Sequence, residues 1–125
     1  MKEEIHQSSE DYLERILMLM ESQGHVRSID IAESMGFSKP SVSIAMKKLR
    51  KNGSIIMDDA GYISLTDKGY AIASKVYDRH KTLTKALILL GVDEETAKRD
   101  ACLVEHVLSE ETFQAIKAKV NGEGK

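Results

Sequence analysis

SIDIAESMGFSKPSVSIAMKKLRKNG, residues 28–53, is the stretch whose reading decides the fold. Ser28 can cap a short helix in which Ile29, Ala32 and Met35 form the inward face, and Gly36 breaks it. The chain then turns through Gly36 and Phe37 to Ser38, a second cap. Pro40 is tolerated in the first helical turn, and a further helix runs to about Asn52 with Val42, Met46 and Leu49 inward. Two short helices joined by a tight glycine turn predict a helix-turn-helix.

The flanks extend that reading. Upstream, Ser8 or Ser9 can cap a helix carrying Leu13, Ile16, Leu17 and Met20, ending near Gly24. Downstream, SIIMDD (54–59), a turn at Ala60-Gly61 and YISL (62–65) predict two strands of a small hairpin, a wing. The predicted class is mostly α: a winged helix-turn-helix over residues 1–65, then an α-helical domain over 66–125.

Charge singles out the same stretch. Residues 36–57 hold Lys39, Lys47, Lys48, Arg50 and Lys51 and no acid; that +5 in a chain of net −2 leaves −7 for the remainder. A polyanion would dock there. Lys39, Ser41, Ser43, Lys47 and Lys48 fall on the outward face, so the lysines and Arg50 suit phosphates. Ser38, Pro40, Ser41 and Ser43 suit base edges or thymine methyls. A basic solvated helix face, or a winged helix that docks on protein, is the alternative these residues leave open.

In the second half, Thr66 can cap a long helix to about Leu90 with Ile72, Val76, Leu83, Leu87 and Leu90 along one side, stopped by Gly91. Asp93 with Glu94 and Glu95 opens the next helix, which carries DACLVEHVLS (100–109). Ser109 with Glu110 and Glu111 opens a last one through Val120, and the tail NGEGK is expected to fray. Ala86 to Leu90 is apolar nearly all round, and three helices offer little interior to hide it, so self-association is the expected outlet. A two-fold dimer would present two recognition helices to half-sites roughly 34 Å apart on double-stranded DNA.

Metal-ligating residue types cluster by spacing. On a helix turning about 100° per residue, Cys102, Glu105 and His106 share one face. Asp11 and Glu14 share a face of the first helix, and His80 sits midway along the long one. Carboxylate, imidazole and thiolate from three helices suit a divalent transition metal. Each also has a purely structural reading: first-turn acids, a surface histidine beside Lys81, a small buried cysteine.

The remaining features exclude more than they assign. With 42% apolar residues the chain can build a core. Its longest apolar run, ALILLGV (86–92), is far short of the roughly 20 residues of a membrane span, and Met1-Lys2-Glu3-Glu4 leads into no signal h-region, so a cytoplasmic place is expected. One cysteine makes no internal disulfide. Neither a paired E-x-x-H pattern nor H-E-x-x-H is present, and no catalytic triad is evident, which argues against an enzyme.

With DYLE (11–14), SKPSVS (38–43), VYDRH (76–80) and DACLVEHVLS in place, the whole chain resembles the metal-dependent repressors that include the diphtheria toxin repressor and the manganese transport regulator. The resemblance implies a homodimer that reads operator DNA and takes Mn(II) or Fe(II), one or two ions per subunit, as co-repressor controlling metal-homeostasis genes. Carried over, it makes His80, Glu105 and His106 ligands common to both branches, Asp11 and Glu14 ligands of the manganese type, and Cys102 one of the iron type. Thr84 and Lys98 stand where the toxin repressor has an acid and a histidine of an ancillary site. The expected mechanism is an ion held jointly by the reading head and the pairing segment, setting the separation of the two heads. The alternative is a winged-helix regulator that needs no metal.

Overall fold

The computed structural model describes the backbone of residues 2–122 and side chains from residue 9 onward; residues 123–125 of the expected frayed tail lie outside the described residues. The order is α1 (Lys2–Gln23), α2 (Ser28–Met35), α3 (Lys39–Lys51), β1 (Ile55–Met57), β2 (Ile63–Leu65), α4 (Asp67–Leu89), α5 (Glu94–Val104) and α6 (Glu110–Val120). The chain forms two compact units, residues 1–75 and 76–125, and α4 contributes to each.

In the first unit, Leu13, Ile16 and Leu17 of α1 are buried with Ile31 and Ala32 of α2, Val42, Met46 and Leu49 of α3, and Ile55 and Ile63 of the hairpin. α1 starts upstream of Ser8 and Ser9, so neither caps it. Serine is tolerated inside a helix. Ser28 likewise is the first residue of α2 rather than its cap: the cap is Arg27, whose N–H donates to Asp30 Oδ2 at 2.8 Å. The buried isoleucine of α2 is Ile31 and not Ile29, because both fit the helical period and only packing chooses between them.

Gly36 ends α2 at φ 73°, its N–H and that of Phe37 both donating to Ala32 O (2.9 and 3.1 Å). That left-handed cap is what lets α3 leave α2 within three residues. Ser38 then caps α3 through its Oγ, which accepts from the Ser41 N–H at 3.3 Å.

The hairpin is antiparallel in the register Ile55↔Leu65, Ile56↔Ser64, Met57↔Ile63, with Ile55 and Ile63 facing inward and Ile56 and Ser64 outward. Its turn is built on Asp58, whose Oδ1 accepts from the N–H groups of Ala60 and Tyr62 (2.9 and 2.8 Å). The Ile63 N–H donates to Val26 O at 2.7 Å, fastening the wing to the α1–α2 loop, and the Arg27 guanidinium lies 5.4 Å from the centre of the Tyr62 ring. Thr66 caps α4 as expected: its Oγ1 accepts from the Gly69 N–H at 3.1 Å and donates to Gly53 O at 2.6 Å.

In the second unit, Val76 and Leu83 of α4, Ala97 and Ala101 of α5 and Phe113 of α6 are buried. Asp93 caps α5, accepting from Thr96 N and Thr96 Oγ1 (3.2 and 2.8 Å), and those two bonds hold its carboxyl below the usual value. Ser109 caps α6. Leu90, expected on the inward side of the long helix, is 81% exposed, because α4 ends at Leu89 and the chain turns away there.

Candidate metal centre and nucleic-acid interface

The second unit brings four of the expected ligands together. His80 projects from the middle of α4, Cys102 from the last turn of α5, and Glu105 and His106 from the turn that follows. His80 Nδ1 lies 3.0 Å from Glu105 Oε1 and 3.7 Å from Cys102 Sγ, while Glu105 Oε2 is 3.5 Å from His106 Nε2. Ligand atoms of His80, Cys102 and Glu105 are all within 4.8 Å of one another. The Glu105 side chain is 1% exposed. Excluded from water, a carboxylate is tolerated where cationic or hydrogen-bonding groups compensate it. One imidazole faces each of its oxygens.

The donor set fits a divalent transition ion: a carboxylate oxygen, one or two imidazoles and an exposed thiol converge without any backbone rearrangement. One detail departs from expectation. DACLVEHVLS is not wholly helical: α5 ends at Val104 and Glu105 is its C-cap. The common face survives because Glu105 keeps right-handed helical angles (φ −57°, ψ −26°) and its N–H still donates to Ala101 O at 2.9 Å.

A residue that the sequence reading passed over holds this turn in place. Arg79 is buried, and its guanidinium donates from Nη1 to Glu105 O (3.0 Å) and Leu108 O (2.7 Å) and from Nη2 to Glu110 Oε1 (3.0 Å). It also lies 5.1 Å from the centre of the Phe113 ring. The carbonyls at the end of α5 lack intrahelical partners, and a cation there answers both their hydrogen bonding and the helix dipole. A signal was available: Arg79 interrupts the apolar stripe of α4 at Val76, Arg79, Leu83, where a cation needs a buried reason.

In the first unit, Asp11 and Glu14 are one turn apart on α1, Asp11 half-buried and Glu14 buried. Between them Tyr12 packs edge-on to Phe37 at 5.9 Å, and burial, with the Asp11 charge in second place, raises its phenol above the ordinary value. Of the other polar candidates, Thr84 Oγ1 donates to His80 O at 2.7 Å and Lys98 pairs with Glu94 at 3.0 Å on the surface.

On α3, Lys39, Pro40, Ser41, Ser43, Lys47, Lys48 and Arg50 are all exposed, opposite the buried Val42, Met46 and Leu49. Ser38, also exposed, is engaged locally: its Oγ donates to Ser41 Oγ at 2.9 Å as well as capping the helix. No helix of the described residues is long and apolar enough to cross a membrane.

A winged helix-turn-helix with a cationic outward helix, joined to a helical unit that gathers histidine, thiol and carboxylate, defines a class of metal-responsive DNA-binding regulator. Comparison with known proteins gives the family. The profile of the iron dependent repressor N-terminal DNA binding domain matches residues 4–69, and that of the iron dependent repressor metal binding and dimerisation domain matches residues 66–122. The chain belongs to the iron-dependent repressor family. It is 38% identical over 113 residues to an HTH-type transcriptional regulator of Methanocaldococcus jannaschii, covering 89% of this chain and 90% of that protein. It is 39% identical over 102 residues to the HTH-type transcriptional regulator MntR of Bacillus subtilis, covering 82% of this chain and 72% of that one. Among solved structures, a manganese-dependent transcriptional repressor in complex with manganese superposes with a TM-score of 0.81 at 30% identity, over 90% of this chain and 52% of that one. The chain thus spans about half the length of such structures.

Proposed function

We propose that this chain is a Mn(II)- or Fe(II)-dependent transcriptional repressor, a cytoplasmic homodimer that binds double-stranded operator DNA of metal-homeostasis genes and catalyses no reaction. The observation that carries this is the water-excluded Glu105 carboxylate between His80 and His106, with the Cys102 thiol beside His80, in a chain that also bears an acid-free recognition helix. Residues 1–65 read DNA and residues 66–125 bind metal and pair the subunits.

His80, Cys102, Glu105 and His106 are the ligands of the helical domain. Asp11 and Glu14 are proposed as ligands from the DNA-reading domain, on the ground of residue type and one-turn spacing on α1. A bound divalent ion, one or two per subunit, supplies the positive charge against which three carboxylates can gather. Asp11 and Glu14 thereby restrain the reading heads, and a larger fraction of dimers matches the spacing of the operator half-sites. A coupling of about 1–3 kcal/mol changes operator affinity about 5- to 150-fold. The oxygens of Asp11, Glu14 and Glu105 favour Mn(II), whereas Cys102 favours softer ions, and cellular supply decides between them. On the DNA side, Lys39, Lys47, Lys48 and Arg50 meet phosphates, and Ser38, Pro40, Ser41 and Ser43 approach base edges.

Equilibrium dialysis with Mn(II), Fe(II) and Zn(II), followed by mobility shifts on DNA upstream of the chain's own gene, tests the proposal. Metal-stimulated binding is expected for the wild type and is lost in His80→Ala and in Glu105→Gln, both still folded by circular dichroism. Equal operator affinity in Mn(II) and in chelator overturns it.

A further inference from the structure

The basic outward face of α3 carries one exposed aliphatic side chain, Ile44. At about 100° per residue, Ile44 lies roughly 200° round the helix from the fully buried Val42, on the side facing away from the core. It is 58% exposed, and its helical neighbours Pro40, Ser41, Lys47, Lys48 and Lys51 are exposed too. No acid occurs in α3.

A branched hydrocarbon set among cations gains nothing in water, and the cations themselves select a polyanion as the occupant of this face. Lysine and arginine contacts to phosphate position a helix but carry no sequence information. Of the other candidate readers, the Ser38 and Ser41 hydroxyls are hydrogen-bonded to one another at 2.9 Å. The major groove offers one apolar feature of matching chemistry, the thymine 5-methyl group.

We propose that Ile44 is a specificity-determining residue that packs on a thymine methyl in each operator half-site. This rests on the reading of α3 as the DNA-recognition helix. The side chain sits where the helix is closest to the groove floor, while Lys47, Lys48 and Lys51 reach outward to the strands that border it.

The test uses the full chain with Mn(II). Its preferred duplex is selected from a random pool, and each thymine is then replaced in turn by deoxyuridine, which removes only the methyl. Wild type is expected to weaken about fourfold per half-site at one thymine position, the factor for losing one buried methyl. Ile44→Ala should bind the parent duplex more weakly, with an unchanged salt dependence, and should ignore uridine at that position. Its melting temperature and Mn(II) affinity should match wild type, because Ile44 contributes to no core. An Ile44→Ala protein with the wild-type methyl profile overturns the inference alone. Failure to select any duplex, or binding indifferent to Mn(II), overturns the repressor reading itself and this inference with it.

Discussion

Arg79 carries consequences that neither its charge nor its neighbours in sequence announce. Its guanidinium donates to two backbone carbonyls of the α5–α6 connection, the segment that presents Glu105 and His106, and to the Glu110 carboxylate at the start of α6. Arg79→Met keeps much of the side-chain volume but leaves Glu105 O and Leu108 O without those donors. Each unsatisfied buried polar group costs about 1–3 kcal/mol. With Glu105 O buried and Leu108 O only partly so, urea unfolding should show a loss of about 2–4 kcal/mol. Mn(II) affinity should fall about tenfold, as is usual when a group that orients a ligand is removed. Arg79→Lys tests the geometry separately: a single ammonium cannot span the three acceptors, so it should recover only part of both quantities. Unchanged Mn(II) binding in Arg79→Met would show that the turn keeps its shape unaided.

At the scale of elements, the junction between the wing and α4 depends on the absence of a side chain. A Cβ built on Gly69 would stand 2.0 Å from Ser54 O, a backbone atom that cannot swing aside. Helix propensity alone favours alanine over glycine by about 1 kcal/mol. Overpacking against backbone reverses the sign: Gly69→Ala should destabilise by about 1–3 kcal/mol, read as a lower urea midpoint with the slope unchanged. A stabilised Gly69→Ala protein would mean that α4 and β1 are less closely packed than described. The other element boundaries were legible in advance where a cap announces them. Ser38, Thr66, Asp93 and Ser109 each accept the hydrogen bond that their position suggested. α1 and α2 were less legible, because a serine can begin a helix or sit within one, and in α2 the cap forms from Asp30 reaching back to Arg27.

For the whole molecule, the second unit leaves apolar surface uncovered. Leu89, Leu90, Leu103 and Val107 are exposed, and Ala86 and Leu89 of α4, with Leu90 just beyond its end, line an apolar groove of about 590 Å³ with Ala115, Ile116 and Val120 of α6. Patches of this kind mark association surfaces, and the family's C-terminal domain is a dimerisation domain. Leu89→Glu combined with Leu90→Glu should raise the dimer dissociation constant at least about 100-fold, since burying a leucine contributes about 1.5–3 kcal/mol and a buried unpaired acid costs more. Sedimentation equilibrium measures it directly. The variant monomer should still bind Mn(II), because the His80–Cys102–Glu105 cluster lies within one chain. A dimer of wild-type stability would place the pairing surface elsewhere on the unit.

The order of elements, the turn at Gly36, the cationic face of α3 and the identities of the candidate ligands were all determined by the sequence alone. They depend on local quantities: hydrophobic period, caps, turn residues and net charge over a short window. Long-range contact decided the rest. Burial chose Ile31 over Ile29, turned Arg79 from a surface cation into the clasp of the α5–α6 turn, and stripped water from the Glu105 carboxylate. It also left Ile44 exposed at the centre of a basic face. Such outcomes depend on which atoms meet across many residues of separation, and a one-dimensional pattern carries the periodicity of a side chain but not the identity of what lies opposite it.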